Sequence, residues 1–166
     1  MSIIPRGQAL GVTLSTPEDD RFNYSEEELR AKIRVSCGGR VAEELVYEEP
    51  TTGAESDIQQ VTGLARGMVE RWGMSSKVGF LAVAPREGQG LLLPGAEPVS
   101  EATKELIDDE VRRIVDEELD NVRQVLADNR DHLESLVEAL LERETLDEAD
   151  AYAAAGLPRE REPATT

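Results

Sequence analysis

Apolar residues along this chain follow two rhythms. Near the front, Leu10, Val12 and Leu14 alternate with smaller residues after a turn at Pro5 and Gly7, the period of a half-buried strand. From Ser25 the spacing changes. Ser25 with Glu28 makes a capping box, and Leu29, Ile33, Cys37, Val41 and Leu45 then recur every four residues, predicting a helix that ends near Tyr47. Gly38 and Gly39 interrupt it at a cost of roughly 1 kcal/mol each against alanine, so another backbone is expected to pack against this turn. A second helix carries Ile58, Val61, Ala65, Met68 and Trp72 and stops at Gly73. Residues 79–93 read as a hairpin: "FLAVA", a loop through Pro85, Gly88 and Gly90, then "LLL".

Composition shifts at Pro98. A long helix from Ser100 to about Asp128 places Ile107, Val111, Ile114, Val122 and Val125 or Leu126 on one stripe. Another, from about Asp131, carries Leu133, Leu136, Val137, Leu140 and Leu141, and the short "DNRD" break predicts that the two run antiparallel. Thr145 with Glu148 is expected to cap a brief last helix ending at Gly156, before a disordered tail at 157–166. The fold class is therefore mainly α, with a small β-sheet or hairpin near the front and a C-terminal antiparallel helical pair. The expected division is 1–98, then a helical subdomain at 99–156.

One acid lies on an apolar stripe. Asp57, Val61, Leu64 and Met68 fall at i, i+4, i+7 and i+11 of the second helix. Two starts are open for that helix, a capping box of Thr52 with Glu55 or one of Ser56 with Gln59, and the first puts Asp57 just inside it. From the residues alone Asp57 is a cap or a dipole partner sooner than a metal ligand. By the same standard Glu43 and Glu44, after the paired glycines, make an exposed acidic turn.

Charge and composition narrow the function classes. The formal charge of −17 over 166 residues repels a phosphate backbone, so nucleic acid is excluded as a partner. Six aromatic residues leave a core that must be mostly aliphatic. Cys37 is the single cysteine, which forbids an internal disulfide and fits a reducing compartment. No apolar run approaches the roughly 20 residues that span a bilayer, so the chain is expected to be soluble. His132 is the only histidine, and there is neither a nucleophile elbow nor a repeated Glu-x-x-His motif, so a Ser/His/Asp site and a di-iron bundle are both disfavoured. The acidic run "EATKELIDDEVRRIVDEELD" reads as a solvated helix face laced with ion pairs such as Glu110 with Arg113.

Four blocks, "IIPRGQALG", "SCGGRVAEELVY", "TTGAESDIQQVTGLARGMVERWGMS" and "LLERETLDEADA", resemble in this order the peptidase domain of the FtsH family of membrane-anchored, ATP-dependent zinc metalloproteases. The likeness covers nearly the whole chain. It implies a helix bearing His-Glu-x-x-His that gives two zinc ligands and a general base, with a third ligand from an aspartate in a Gly-Ala-x-x-Asp block. Gly53, Ala54 and Asp57 match that block, so Asp57 looks like the third zinc ligand and its inward charge would be taken up by the metal. Glu43 resembles a residue that orients a ligand without touching the metal. Gly38 and Gly39 then mark close packing against the histidine-bearing helix.

These residues contain no His-Glu-x-x-His, so no catalytic residue is expected in this chain, which is expected to begin just after that helix. The resemblance implies a parent that is a homo-hexamer in a bacterial plasma membrane, using ATP bound by a separate module to unfold membrane and cytoplasmic proteins. The membrane enters only through N-terminal segments outside this chain, which would sit on the cytoplasmic side. An alternative is a non-catalytic helical assembly or adaptor module derived from that domain.

Overall fold

The computed structural model describes residues 1–5, 23–47, 52–81 and 99–158. They are mainly helical and fall into two compact units, one of residues 22–125 and the other of 1–21 with 126–166.

In the first unit, α1 (Glu26–Tyr47) opens on the expected capping box. Ser25 Oγ accepts from the Glu28 amide at 3.3 Å, and the Glu28 carboxylate accepts from the Ser25 amide at 2.7 Å. Leu29, Ile33, Cys37 and Val41 are buried as their spacing requires, and Leu45 is half-buried. Replacing Ser25 with alanine leaves the Glu28 amide unmet, and is expected to cost about 1 kcal/mol, read as a lower urea midpoint.

The next helix starts differently from expectation. A 3₁₀ turn at Thr52–Ala54 winds straight into α2 (Glu55–Glu70), so the cap position falls on Ala54, which has no side-chain acceptor, and neither expected capping box forms. Asp57 lies in the first turn. Val61, Ala65, Met68 and Val69 are buried, whereas Ile58 is 58% and Trp72 43% exposed. Burial is thus rotated away from the Ile58 edge, toward the side on which α2 packs on α1. Trp72 lies beyond the end of α2 and covers Gly67, where an added Cβ would stand 2.9 Å from its ring. Gly73 (φ +64°) reverses the chain where the stop was expected.

α3 (Glu101–Asp128) is capped by Ser100 Oγ, which accepts from the Thr103 amide at 3.2 Å. Ile107, Val111, Ile114 and Val122 are buried as predicted, but so are Glu110 and Glu118. That overturns the reading of the acidic run as a wholly solvated face.

The second unit holds α4 (Arg130–Arg143) and α5 (Glu148–Ala154), which pack on one another. Ser2 bridges antiparallel to Thr145, and the Leu146 amide donates to the Met1 carbonyl at 3.0 Å. Because Thr145 is committed to that bridge, its hydroxyl 2.9 Å from Ser2 Oγ, it does not cap α5. Asp147 does, accepting from the Asp150 amide at 2.8 Å. Leu146 and Ala155 are buried; α4 buries no side chain fully, with Leu133, Leu136 and Leu140 half-buried and Val137 and Leu141 exposed.

Glu144 ends α4 in the left-handed region (φ 62°), which a Cβ makes costly. Glu144→Gly is expected to stabilise this unit by about 0.5–1 kcal/mol, measurable as slower amide exchange at Leu146.

No strand occurs among the described residues. The expected strand at 10–14 and most of the hairpin at 79–93 lie outside them, and Gly79–Leu81 form part of a turn. No helix among the described residues is long and apolar enough to cross a membrane.

Candidate metal centre

The first unit gathers its chemistry around the start of α2. Asp57 is half-buried in the first turn and makes no hydrogen bond or ion pair with the described residues, in a chain where most carboxylates near the core are gripped by arginine. It lines a cleft of about 260 Å³ between three helices. α1 supplies Ser36, Cys37, Arg40 and Glu44, the 3₁₀ turn adds Ala54, α2 adds Ile58, Val61 and Thr62 beside Asp57, and α3 closes the wall with Val115, Leu119 and Arg123. The walls are mostly apolar. At the rim, the Glu44 carboxylate accepts from Arg40 Nε at 2.9 Å and from Arg123 Nη2 at 3.3 Å.

Burial pushes the Cys37 thiol pKa up, the charges of Asp57 and Glu118 push the same way, and Arg123 opposes them. The thiol therefore stays protonated and behaves as a small core residue, not as a nucleophile.

A carboxylate that lines a cleft and has no ion pair among the described residues suits one ligand of a zinc ion. A hydrolytic zinc takes about three protein ligands, and the described residues contain no group of three His, Cys, Asp or Glu side chains placed to hold a metal. Asp57 fits as a single donor, and the other ligands would have to come from elsewhere in the protein.

Glu43 is half-buried on the flank of α1 and is not among the residues lining this cleft; its neighbour Glu44 is. A Cβ added at Gly38 or Gly39 would meet nothing within 4 Å, so the described residues do not supply the close-packed backbone expected there. His132 belongs to the second unit, where its Nδ1 meets the Ala155 carbonyl and ties α4 to the end of α5.

Sequence reasoning missed the two buried glutamates. Glu118 continues the stripe 107, 111, 114, 118, 122, and Glu110 lies one turn before Ile114; that spacing was the available signal. Each has its partners. Arg30 and Arg34 of α1 donate to the two oxygens of Glu118 at 2.7 and 2.8 Å, and Asn121 adds a bond at 3.2 Å. Burial raises the Glu118 pKa, but these donors outweigh it and the net shift is downward.

Glu110 takes bonds from Arg113 (3.0 and 3.1 Å), Ser75 (2.8 Å) and Lys77 (2.8 Å). The Arg113 guanidinium is the main cause that holds its carboxyl at about 2, from an ordinary 4.5; burial opposes it, and Lys77 and Ser75 add to the lowering. A depressed folded pKa gives stability that is present above the unfolded value and lost as pH falls through the folded one. Glu110 thus contributes stability that is present above about pH 4.5 and lost toward pH 2. Urea midpoints followed by Trp72 fluorescence should fall steeply over that window, and Glu110→Gln should flatten the fall.

Residues 1–153 match the family model described as peptidase family M41. The chain belongs to peptidase family M41. This M41 chain is 60% identical over 161 residues to the ATP-dependent zinc metalloprotease FtsH 3 of Conexibacter woesei, across 97% of its own length and 22% of the relative's. It is 51% identical to the FtsH of Syntrophus aciditrophicus over 95% of the chain and 22% of the relative, and 48% identical to that of Thermobaculum terrenum over 99% and 26%. The resemblance to the FtsH family is borne out, and the M41 chain spans about a fifth to a quarter of the length of the curated relatives it matches.

Proposed function

We propose that this chain is the C-terminal part of the peptidase domain of a membrane-anchored, ATP-dependent zinc metalloendopeptidase that degrades unfolded membrane and cytoplasmic proteins as a homo-hexamer. The observation that carries the reading is Asp57: a carboxylate lining a cleft, without an ion pair among the described residues, inside the block that resembles the family's aspartate ligand. Asp57 would hold zinc with two ligands from outside this chain, and Glu43 would orient one of them. Bound zinc would supply Lewis acidity toward a peptide carbonyl. This chain's own residues shape the wall beside it, with residues 1–98 as the zinc-site half that carries Asp57, and 99–156 adding the α3 side of the wall and helices for ring contacts. ATP would bind a separate module.

Alone, the described residues offer too few ligands to retain zinc, and the chain is expected to be inactive. The test compares the isolated chain with the full-length protein, each with zinc and unfolded casein. Only the full-length protein should carry one zinc per chain and cleave. Turnover by the isolated chain above a metal-free control would refute the reading, as would full-length protein that neither holds zinc nor cleaves.

A further inference from the structure

The two buried glutamates of α3 share a chemistry but occupy different places. Glu118 is flanked on its helix by Val115 and Leu119, both of which line the cleft that holds Asp57. Its partner Arg34 precedes Cys37, another lining residue, by one turn of α1. Glu110 stands about two turns earlier on α3, and its partners Ser75 and Lys77 belong to the turn after α2. One carboxylate therefore pins α1 to α3 next to residues that line the cleft, and the other fastens the far end of α2.

Both arginines that grip Glu118 come from α1, one to each oxygen, so the separation of α1 and α3 is set by a two-pronged clamp. α2, which carries Asp57, packs directly on α1. We propose that Glu118 is a positioning residue for Asp57: the clamp fixes the width of the cleft and hence where the Asp57 carboxylate meets a metal. The proposal rests on Asp57 being a zinc ligand, and Glu118 itself touches neither metal nor substrate. A neutral glutamine can accept from one arginine but turns an amide toward the other, which loosens one prong and leaves positive charge beside the cleft. Looser geometry and added positive charge both weaken the hold on a dication.

The test uses the full-length protease, with zinc affinity measured by chelator competition and ligand geometry by the visible spectrum of the cobalt-substituted protein. It is run below the melting temperature of every variant. Glu118→Gln should lower zinc affinity about tenfold, the low end for residues one step removed from a metal, and shift the cobalt bands. Glu110→Gln, a comparable loss of buried charge away from the cleft, should lower the melting temperature yet leave both metal readouts at native values. Equal metal affinity and spectra in the two variants would overturn the proposal. Should Glu118→Gln fail to fold, Arg34→Gln removes one prong and should weaken zinc about threefold with a smaller spectral shift; native values there would overturn it too. Asp57→Ala separates the two ideas. If it keeps zinc, the functional reading fails; if it loses zinc while Glu118→Gln stays native, only the positioning role fails.

Discussion

Replacing Asp57 with alanine in the full-length protease is expected to abolish casein cleavage and to strip zinc from the purified protein, while the fold survives. Loss of a group that merely supports a metal ligand costs roughly 10–100-fold in affinity, and loss of a ligand itself must cost more. Stability should barely move. Asp57 has no hydrogen bond or ion pair with the described residues to lose, and its carboxylate near the start of α2 contributes only the dipole interaction, about 0.3–1 kcal/mol. Zinc content by mass spectrometry and melting by circular dichroism together decide the matter. Full zinc occupancy in the variant would remove Asp57 from the metal, and a collapse in melting temperature would recast it as a fold residue. Asp57→Asn, nearly isosteric, should behave like alanine in zinc content, because the ligand's charge is what is lost.

Reading the sequence went furthest where one helix face buries a regular apolar stripe. The four-residue spacing from Leu29 to Val41 and the Ser25 capping box needed nothing beyond the local chain, and both stand in the structure. The start of α2 was obscured because two capping boxes competed on paper and a 3₁₀ turn made both unnecessary. Glu110 and Glu118 were misread for another reason: a glutamate is taken as exposed unless a partner is known, and the arginines that hold Glu118 lie more than eighty residues away in sequence. At the candidate site, the phase of α2 already marked Asp57 as an inward acid. Its chemistry came only from the family resemblance. Neither source pointed to Glu44 and Arg123 at the rim, since their meeting depends on how α1 and α3 pack.

Glu118→Ala should destabilise the unit of residues 22–125 by about 3 kcal/mol, because breaking one partner of a buried ion pair leaves the others desolvated and unmatched, typically at roughly 3–5 kcal/mol. The lower end applies here. Arg30 keeps bonds to Glu26 and Glu117, Arg34 keeps Glu27, and their side chains are 16% and 29% exposed, so water recovers part of the loss. For a unit of this size the change corresponds to a fall of about 12 °C or more in melting temperature, followed through Trp72, which lies in the same unit. Since the Glu118 pKa is lowered on folding, the native protein's advantage over the variant should persist above the unfolded glutamate value and shrink as pH falls through the folded one. A triple replacement, Glu118→Leu with Arg30→Met and Arg34→Met, removes the charges together and should recover most of the stability, as buried ion pairs exchanged for apolar groups often do. The clamp would then owe its place to the geometry it imposes and not to its net energy. A loss below about 1 kcal/mol for Glu118→Ala would mean instead that the exposed glutamates of α1 and α3 already satisfy both arginines, as weak surface pairs do.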